Sequence, residues 1–173
     1  FLDRMESSGS VGDGELDNIW VQGGKRPKLR PPVAKLDELP FMDRAFLNER
    51  YGVANMVTQR GCPFPCTYCA ARMYNEMYGT EQYGRRRSIS NVMQELHHLR
   101  ESEGLSYVIF LDDTFTINHK WIRRFLETYK DEIAVPFSIH ARAETINQDL
   151  LARLADAGCK HITFGVESGS ERL

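Results

Sequence analysis

A chain of 173 residues, 42% apolar and 27% charged, can bury one domain core with a tail but is short for two full cores. Its 22 basic and 24 acidic residues leave a formal charge of −2, which gives no electrostatic footprint for nucleic acid or an anionic membrane. The longest apolar run, Tyr107 to Leu111, is five residues, far from the roughly 20 that a bilayer needs.

FLDRMESSGS at the start lacks the basic and apolar regions of a secretory signal. Three clustered cysteines with a fourth left over do not make a disulfide framework. A reducing cytoplasm is the expected compartment. The chain begins at Phe1 and stops after GVESGSERL, and it is expected to be a fragment.

Residues 1–49 are weakly patterned. FLDRMESSG reads as the last turns of a helix, followed by the Gly-rich SVGDGE. NIWVQ then leads into GGKRPKLRPP, a β-turn entering a proline-rich linker. Pro27, Pro31, Pro32 and Pro40 predict an extended connector.

From Tyr51 a regular alternation begins. VANMVT (53–58) reads as a first strand running into a cysteine loop. A helix follows from about Asn91, capped by Ser88, Ser90 or Asn91, with Val92, Leu96 and Leu99 as its apolar stripe and Gly104 after its end. SYVIFL (106–111) is a second strand, apolar on both faces as buried parallel strands are. Asn118 can cap a second helix carrying Trp121, Ile122, Phe125, Leu126 and Tyr129. VPFSIH (135–140) is a third strand. Asn147 to Ala157 is a third helix with Leu150, Leu151 and Leu154 on one side and Gly158 at its end, and HITFGV (161–166) is a fourth strand.

This β-α-β-α-β-α-β order demands a parallel sheet. It predicts an α/β fold, half of a (β/α) barrel, with an open doubly wound sheet as the competitor. The first βα turn holds cysteines rather than GxGxxG, which counts against dinucleotide binding.

Ligands of such folds sit at the carboxyl ends of the strands, and each strand here ends in reactive residues. The first ends in Cys62, Cys66 and Cys69, the second in Asp112, Asp113 and Thr114, the third in His140 and Arg142, and the fourth in Glu167, Ser168 and Ser170. Four such endings together point to one site.

GCPFPCTYC carries three thiols, where a structural zinc wants four ligands. Cys159 precedes the fourth strand and, at ~3.3 Å per residue, lies ~20 Å from the opposite end; it is expected to be a small core residue. His97 and His98 lie on the first helix, on its solvated side. Three thiolates without a fourth suit a 4Fe–4S cubane in which one iron has no protein ligand. The open position belongs to a substrate or cofactor.

CPFPCTYC has the CxxxCxxC signature of the radical S-adenosylmethionine (SAM) superfamily, with the aromatic Tyr68 before the last cysteine. NMVTQRGCPFPCTYC, FLDDTFTIN, HARAE and FGVESGSERL resemble the cobalamin-binding subgroup, whose core is related to the Elongator-type radical SAM domain. LRPPVAKLDELPF resembles the connector between cobalamin domain and barrel in that subgroup.

The resemblance spans roughly residues 20–173. It implies that residues 1–49 are the tail of an upstream, cobalamin-binding domain plus linker, and that 50–173 are the N-terminal half of a radical SAM core. About three and a half of six β/α units would then be present.

On that resemblance Cys62, Cys66 and Cys69 ligate the cluster, and Tyr68 packs beside the cluster and the adenine of SAM. Asp113 and Thr114 stand where many relatives have a Gly-Gly-Glu stretch that holds the SAM amino group; the sequence departs there. Arg142 suits the SAM carboxylate, and Glu167 and Ser168 reach the ribose or the methionine end. Structural alternatives stand beside these. Asp112, Asp113, Thr114 and Thr116 can order a loop, Arg142 can pair with Glu144 or Asp113, and Ser168 or Ser170 can cap a helix. Arg85-Arg86-Arg87 reads as a solvated loop, with a substrate-phosphate contact as the alternative. Met73, Tyr74, Met77 and Tyr78 recur at helical spacing and read as packing.

The implied activity is reductive cleavage of SAM to a 5′-deoxyadenosyl radical, for cobalamin-dependent methylation of an unactivated carbon. A radical SAM cyclase or oxidoreductase, or a tRNA methylthiotransferase, is the alternative within the superfamily; a non-catalytic iron–sulfur electron carrier is the alternative outside it. The implied cofactors are the 4Fe–4S cluster, SAM and cobalamin, and the implied partners are a small-molecule substrate and a reductant such as flavodoxin or ferredoxin.

Overall fold

The computed structural model describes residues 16–44, 52–102 and 104–170. The expectations for FLDRMESSG and SVGDGE lie outside these. The chain divides into two compact units, Phe1–Ala34 and Lys35–Leu173.

In the first unit no helix or strand forms among the described residues. Asn18, at φ +61°, organises a turn instead. Its amide donates to Lys28 O at 2.9 Å, and its side-chain oxygen accepts from the Arg30 amide at 2.9 Å. Trp20 of NIWVQ stays exposed.

The second unit opens with a 3-10 turn, Leu36–Glu38, whose Leu36 is buried. Its strands and helices in chain order are β1 (Val53–Met56), β2 (Gln59–Arg60), α1 (Ala70–Tyr78), α2 (Thr80–Tyr83), β3 (Arg85–Arg86), α3 (Ile89–Ser102), β4 (Tyr107–Phe110), α4 (His119–Glu132), β5 (Phe137–Ala141), α5 (Gln148–Asp156) and β6 (Cys159–Phe164). The main sheet is parallel, in the order β1-β4-β5-β6. Each strand neighbours the one before it in the main sheet, with no reversal of direction. That is the winding of a barrel wall, and it removes the doubly wound alternative, whose strand order reverses at a switch point.

Burial alternates along β1, β4 and β5, and one face carries the core. Ala54, Met56, Val108, Phe110, Phe137, Ile139 and Ala141 are buried with Val92, Leu96 and Leu99 of α3, Ile122, Phe125 and Tyr129 of α4, and Leu150 and Leu154 of α5. Phe110 lies at its centre, in edge contact with Phe125 at 5.5 Å and Phe137 at 5.7 Å between centroids. The expectation that the strand at 106–111 is buried on both faces is therefore corrected. Tyr107 and Ile109 point away from the helices and are half-buried, because the helices of this half-barrel cover its outer side.

The helix starts follow their caps. Ser88 Oγ accepts from the Asn91 amide at 3.1 Å, Asn118 from Trp121 at 3.0 Å, and Asn147 from Leu150 at 2.8 Å, each supplying an orphan amide of a first turn. Gly104, after α3, has φ +73°.

Two devices were not anticipated. Arg85-Arg86-Arg87 is no solvated loop, because Arg85 and Arg86 pair antiparallel with Arg60 and Gln59. Arg86 Nη2 donates to Gln59 Oε1 and its guanidinium lies 4.8 Å from the Trp121 ring. Arg87 donates to Val57 O at 3.1 Å and pairs with Glu95 at 2.5 Å. Glu95, buried on α3, also pairs with Arg44 at 2.5 Å, and Arg44 donates to Asn55 O. Arg44 is thus tied to β1 and α3 through a buried charge network.

Candidate functional site

The cysteine loop leaves β2 through Gly61, whose φ is +94° and whose added Cβ would stand 2.5 Å from Tyr83 O. A side chain there is excluded twice, by conformation and by space. The Cys69 amide donates to Cys66 O at 3.2 Å, and Cys69 is the residue from which α1 starts. Asn75 of α1 reaches back to donate to Cys62 O at 2.8 Å. The spacing of Met73, Tyr74, Met77 and Tyr78 does mark a helix, but the packing expectation is corrected. Met73, Tyr74 and Met77 are exposed, because α1 buries itself through Ala71. Tyr74 stacks on Tyr83 at 5.3 Å.

The carboxyl ends of the other strands gather around this loop. After β4, Asp112 is buried and accepts from the Thr58 amide at 2.8 Å, the Gln59 amide at 2.6 Å and Thr58 Oγ1 at 3.0 Å. Burial pushes its carboxyl up to about 6, against the opposing pull of those hydrogen bonds and Arg86. Its role is to hold the β1–β2 junction from which the loop departs. Thr114, also buried, places Oγ1 3.9 Å from Cys62 Sγ. Asp113 is exposed and bears on Tyr83, whose hydroxyl is raised by burial first and then by Asp113, Tyr74 and Cys69.

After β5, Arg142 Nη1 donates to Cys66 Sγ at 3.4 Å, and its guanidinium sits 4.1 Å from the Phe64 ring of the loop. It also donates through Nε to Glu144 at 2.7 Å, so the structural pairing named above coexists with contact to the loop. His140 is half-buried on the strand face away from the core. After β6, Glu167 comes beside Tyr68. That hydroxyl is raised by desolvation first, then by Glu167 and Cys66. Ser168 accepts from the Ser170 amide at 3.0 Å, forming a local turn.

All four cysteines are free. Cys159 begins β6 opposite Phe137 at the amino end of β5, across the sheet from the trio. It is half-buried, and burial pushes its thiol up to about 11. His97 pairs with Glu132 at 2.9 Å, away from the loop. Among the described residues no three His, Cys, Asp or Glu side chains stand close enough together to hold a metal ion. The donor set still fits one group well: three free thiols on one short loop, a cationic guanidinium against one of them, and a fourth thiol that belongs to the core. Soft thiolate donors of this number suit an iron–sulfur cluster with one open iron.

Phe64 and Asn75 carried no periodic signal, and their roles arise from the loop's path. Asp112 was legible as a polar strand end but not as the brace of the loop.

The sequence pattern of the Radical SAM superfamily matches residues 56–173. An uncharacterized methyltransferase of Pyrococcus horikoshii is 30% identical over 179 residues, covering 96% of this chain and 37% of that protein. A cytidylyl-2-hydroxyethylphosphonate methyltransferase of Streptomyces wedmorensis is 27% identical over 167 residues, 87% of this chain and 30% of the relative. An anaerobic magnesium-protoporphyrin IX monomethyl ester cyclase of Cereibacter sphaeroides is 30% identical over 133 residues, 72% of this chain and 20% of the relative. The chain therefore spans well under half the length of these relatives.

Among solved structures, the radical SAM methyltransferase TsrM of Kitasatospora setae, with cobalamin and a 4Fe–4S cluster bound, superposes with a TM-score of 0.62 at 18% identity. The match covers 76% of this chain and 25% of that one. This likeness is one of fold.

Proposed function

From the premise that the chain belongs to the radical SAM superfamily, we propose that it holds a 4Fe–4S cluster through Cys62, Cys66 and Cys69 and binds SAM at the open iron. When bound, cluster and SAM together supply a one-electron cleavage that yields a 5′-deoxyadenosyl radical. The observation that carries the reading is the convergence of three further strand ends, those of β4, β5 and β6, on one thiol loop. Thr114 stands against Cys62, Arg142 against Cys66, and Glu167 against Tyr68.

The residues have separate tasks. Arg142 presents a planar fork suited to a carboxylate, pre-oriented by Phe64 and Glu144. Asp113 is an exposed acceptor for an ammonium group, and Glu167 and Ser168 are acceptors for ribose hydroxyls. Tyr68, at 68% exposure, offers a ring face to an adenine. Gly61, Asn75 and Asp112 fix the loop's path.

The reaction we propose is cobalamin-dependent methylation of an unactivated carbon in a small molecule, with cobalamin held outside the described residues and a flavodoxin or ferredoxin as reductant. Two methyltransferases among the relatives support it, as does the fold shared with TsrM. The 30% identity to a cyclase favours radical ring closure as the second reading. No helix among the described residues is long and apolar enough to cross a membrane, and such a site suits a reducing cytoplasm.

The test is anaerobic reconstitution with iron and sulfide, followed by EPR of the reduced protein with and without SAM. A 4Fe–4S signal that changes on adding SAM supports the reading. A well-formed cluster indifferent to SAM favours an electron carrier.

A further inference from the structure

Arg142 sets a cation against one thiol of the loop, and it is held there at several points. Its backbone oxygen accepts from the Thr145 amide at 3.0 Å and from Thr145 Oγ1 at 2.7 Å, which fixes the turn after β5. Its guanidinium lies 4.1 Å from the Phe64 ring centroid. Nε donates to Glu144 at 2.7 Å, and Nη2 pairs with the same carboxylate. Nη1 donates to Cys66 Sγ at 3.4 Å.

The three thiols of the loop are therefore unequal. Cys62 faces the neutral hydroxyl of Thr114 at 3.9 Å, and that hydroxyl donates to Asp113 O at 2.8 Å. Cys69 is exposed. Among the described residues only Cys66 receives a charge-assisted donor.

An exposed pair of Arg142 with Glu144 contributes little by itself. The contact with sulfur has a further consequence. Once Cys66 ligates iron as a thiolate, its sulfur carries negative charge, and one-electron reduction adds more. Local charge and hydrogen bonds to the sulfurs set the potentials of iron–sulfur clusters. A cation fixed at that sulfur in advance favours the reduced state with little reorganisation.

We propose that Arg142, through its hydrogen bond to Cys66, raises the reduction potential of the cluster and so eases its reduction by a weak one-electron donor. This rests on the cluster assignment above and adds a task to the residue. Each Nη atom keeps a second N–H, so the bond to Cys66 leaves donors for the SAM carboxylate. Glu144 acts in the opposite direction, because its carboxylate offsets part of the cation's field. The other carboxylate nearby, Glu167, bears on the Tyr68 hydroxyl beside Cys66.

The experiment uses the full chain with its cluster reconstituted and no SAM present. The midpoint potential is read by EPR during reduction with dithionite in the presence of redox mediators. Arg142→Gln is expected to lower it by ~59 mV, the equivalent of a tenfold loss in the one-electron equilibrium. Arg142→Lys keeps the charge without the fixed contact and is expected to fall between. Glu144→Gln keeps an acceptor for Nε but removes the opposing charge, so it is expected to raise the potential. Arg123→Gln makes an equal change of charge at the exposed Asp149 pair and is expected to leave the potential where it was.

An unchanged potential in Arg142→Gln overturns the proposal, as does an equal shift in Arg123→Gln. A fall in both Arg142→Gln and Glu144→Gln marks a displaced loop rather than a charge at Cys66, and overturns it too. Should Arg142→Gln assemble no cluster, Glu144→Gln decides, and a potential that does not rise overturns the proposal. Failure of the unaltered protein to assemble a cluster overturns the cluster assignment itself, whereas every other outcome leaves that assignment standing.

Discussion

Asp112 Oδ1 accepts from the Thr58 amide at 2.8 Å, so the carboxylate that ends β4 grips the backbone at the exit of β1. The cysteine loop begins three residues beyond that grip, at Gly61. A strand end two positions before Thr114 therefore sets where the thiols start.

Asp112 predicts a pH dependence. Its carboxyl is raised from 3.8 to about 6 in the folded state, chiefly by burial. The native protein thus holds this proton more tightly than the unfolded chain. The contribution to stability is fully present below about pH 4 and is lost as pH rises through about 6. Asp112→Asn, which can still accept from both amides, is expected to flatten that part of the profile. Urea unfolding at stepped pH measures it, and an unchanged slope in the variant would sink the assignment.

Glu95 is expected to be the most costly single charge to remove. Glu95→Gln leaves the Arg44 and Arg87 guanidinium groups with weakened partners in a buried setting, a change of about 3 kcal/mol or more. Chemical denaturation reads the loss, and Arg44→Met in the same background should cost less than the two changes summed.

Gly61→Ala tests the loop's exit. With φ +94° and Tyr83 O at 2.5 Å from the new Cβ, the substitution should cost at least about 2 kcal/mol. A thermal midpoint within a degree of the unaltered protein would contradict the geometry.

Thiol labelling separates the cysteines. Iodoacetamide at pH 8 is expected to leave Cys159 unmodified, since a thiol pushed up to about 11 is only ~0.1% thiolate there. Cys69, exposed on the loop, should label. Peptide mapping by mass spectrometry gives the answer, and early modification of Cys159 would place it elsewhere than the sheet's amino end.

Arg142→Lys bears on the SAM reading. Lysine keeps the charge but not the fork over Phe64, so SAM affinity of the reconstituted protein should fall about tenfold with the cluster signal retained. EPR titration with SAM distinguishes this from an unchanged affinity, which would leave Arg142 to its contacts with Glu144, Cys66 and Phe64.

Much of this was legible in the chain. The polar caps Ser88, Asn118 and Asn147 act locally, through bonds spanning three residues, and each stands where the structure uses it. The thiol spacing and the reactive strand ends were equally visible, because a parallel β/α order sends every carboxyl end to the same side. Strand limits were less so. β6 begins at Cys159, where HITFGV reads from His161, since pairing with β5 extends over Phe137 to Ala141.

The linear order thus determined the four strands of the main sheet, the helices between them and the set of residues able to meet, while the strand order decided for the barrel-like winding. Local hydrogen bonds and apolar periodicity depend on near neighbours in the chain. Only the tertiary structure decided that Asp112 braces Thr58, that Arg44 and Arg87 share Glu95, and that Arg60, Arg85 and Arg86 line one pocket. Those relationships join residues up to 54 positions apart. They depend on how strands and helices dock, and burial there makes the pairing of a charged side chain decisive for stability.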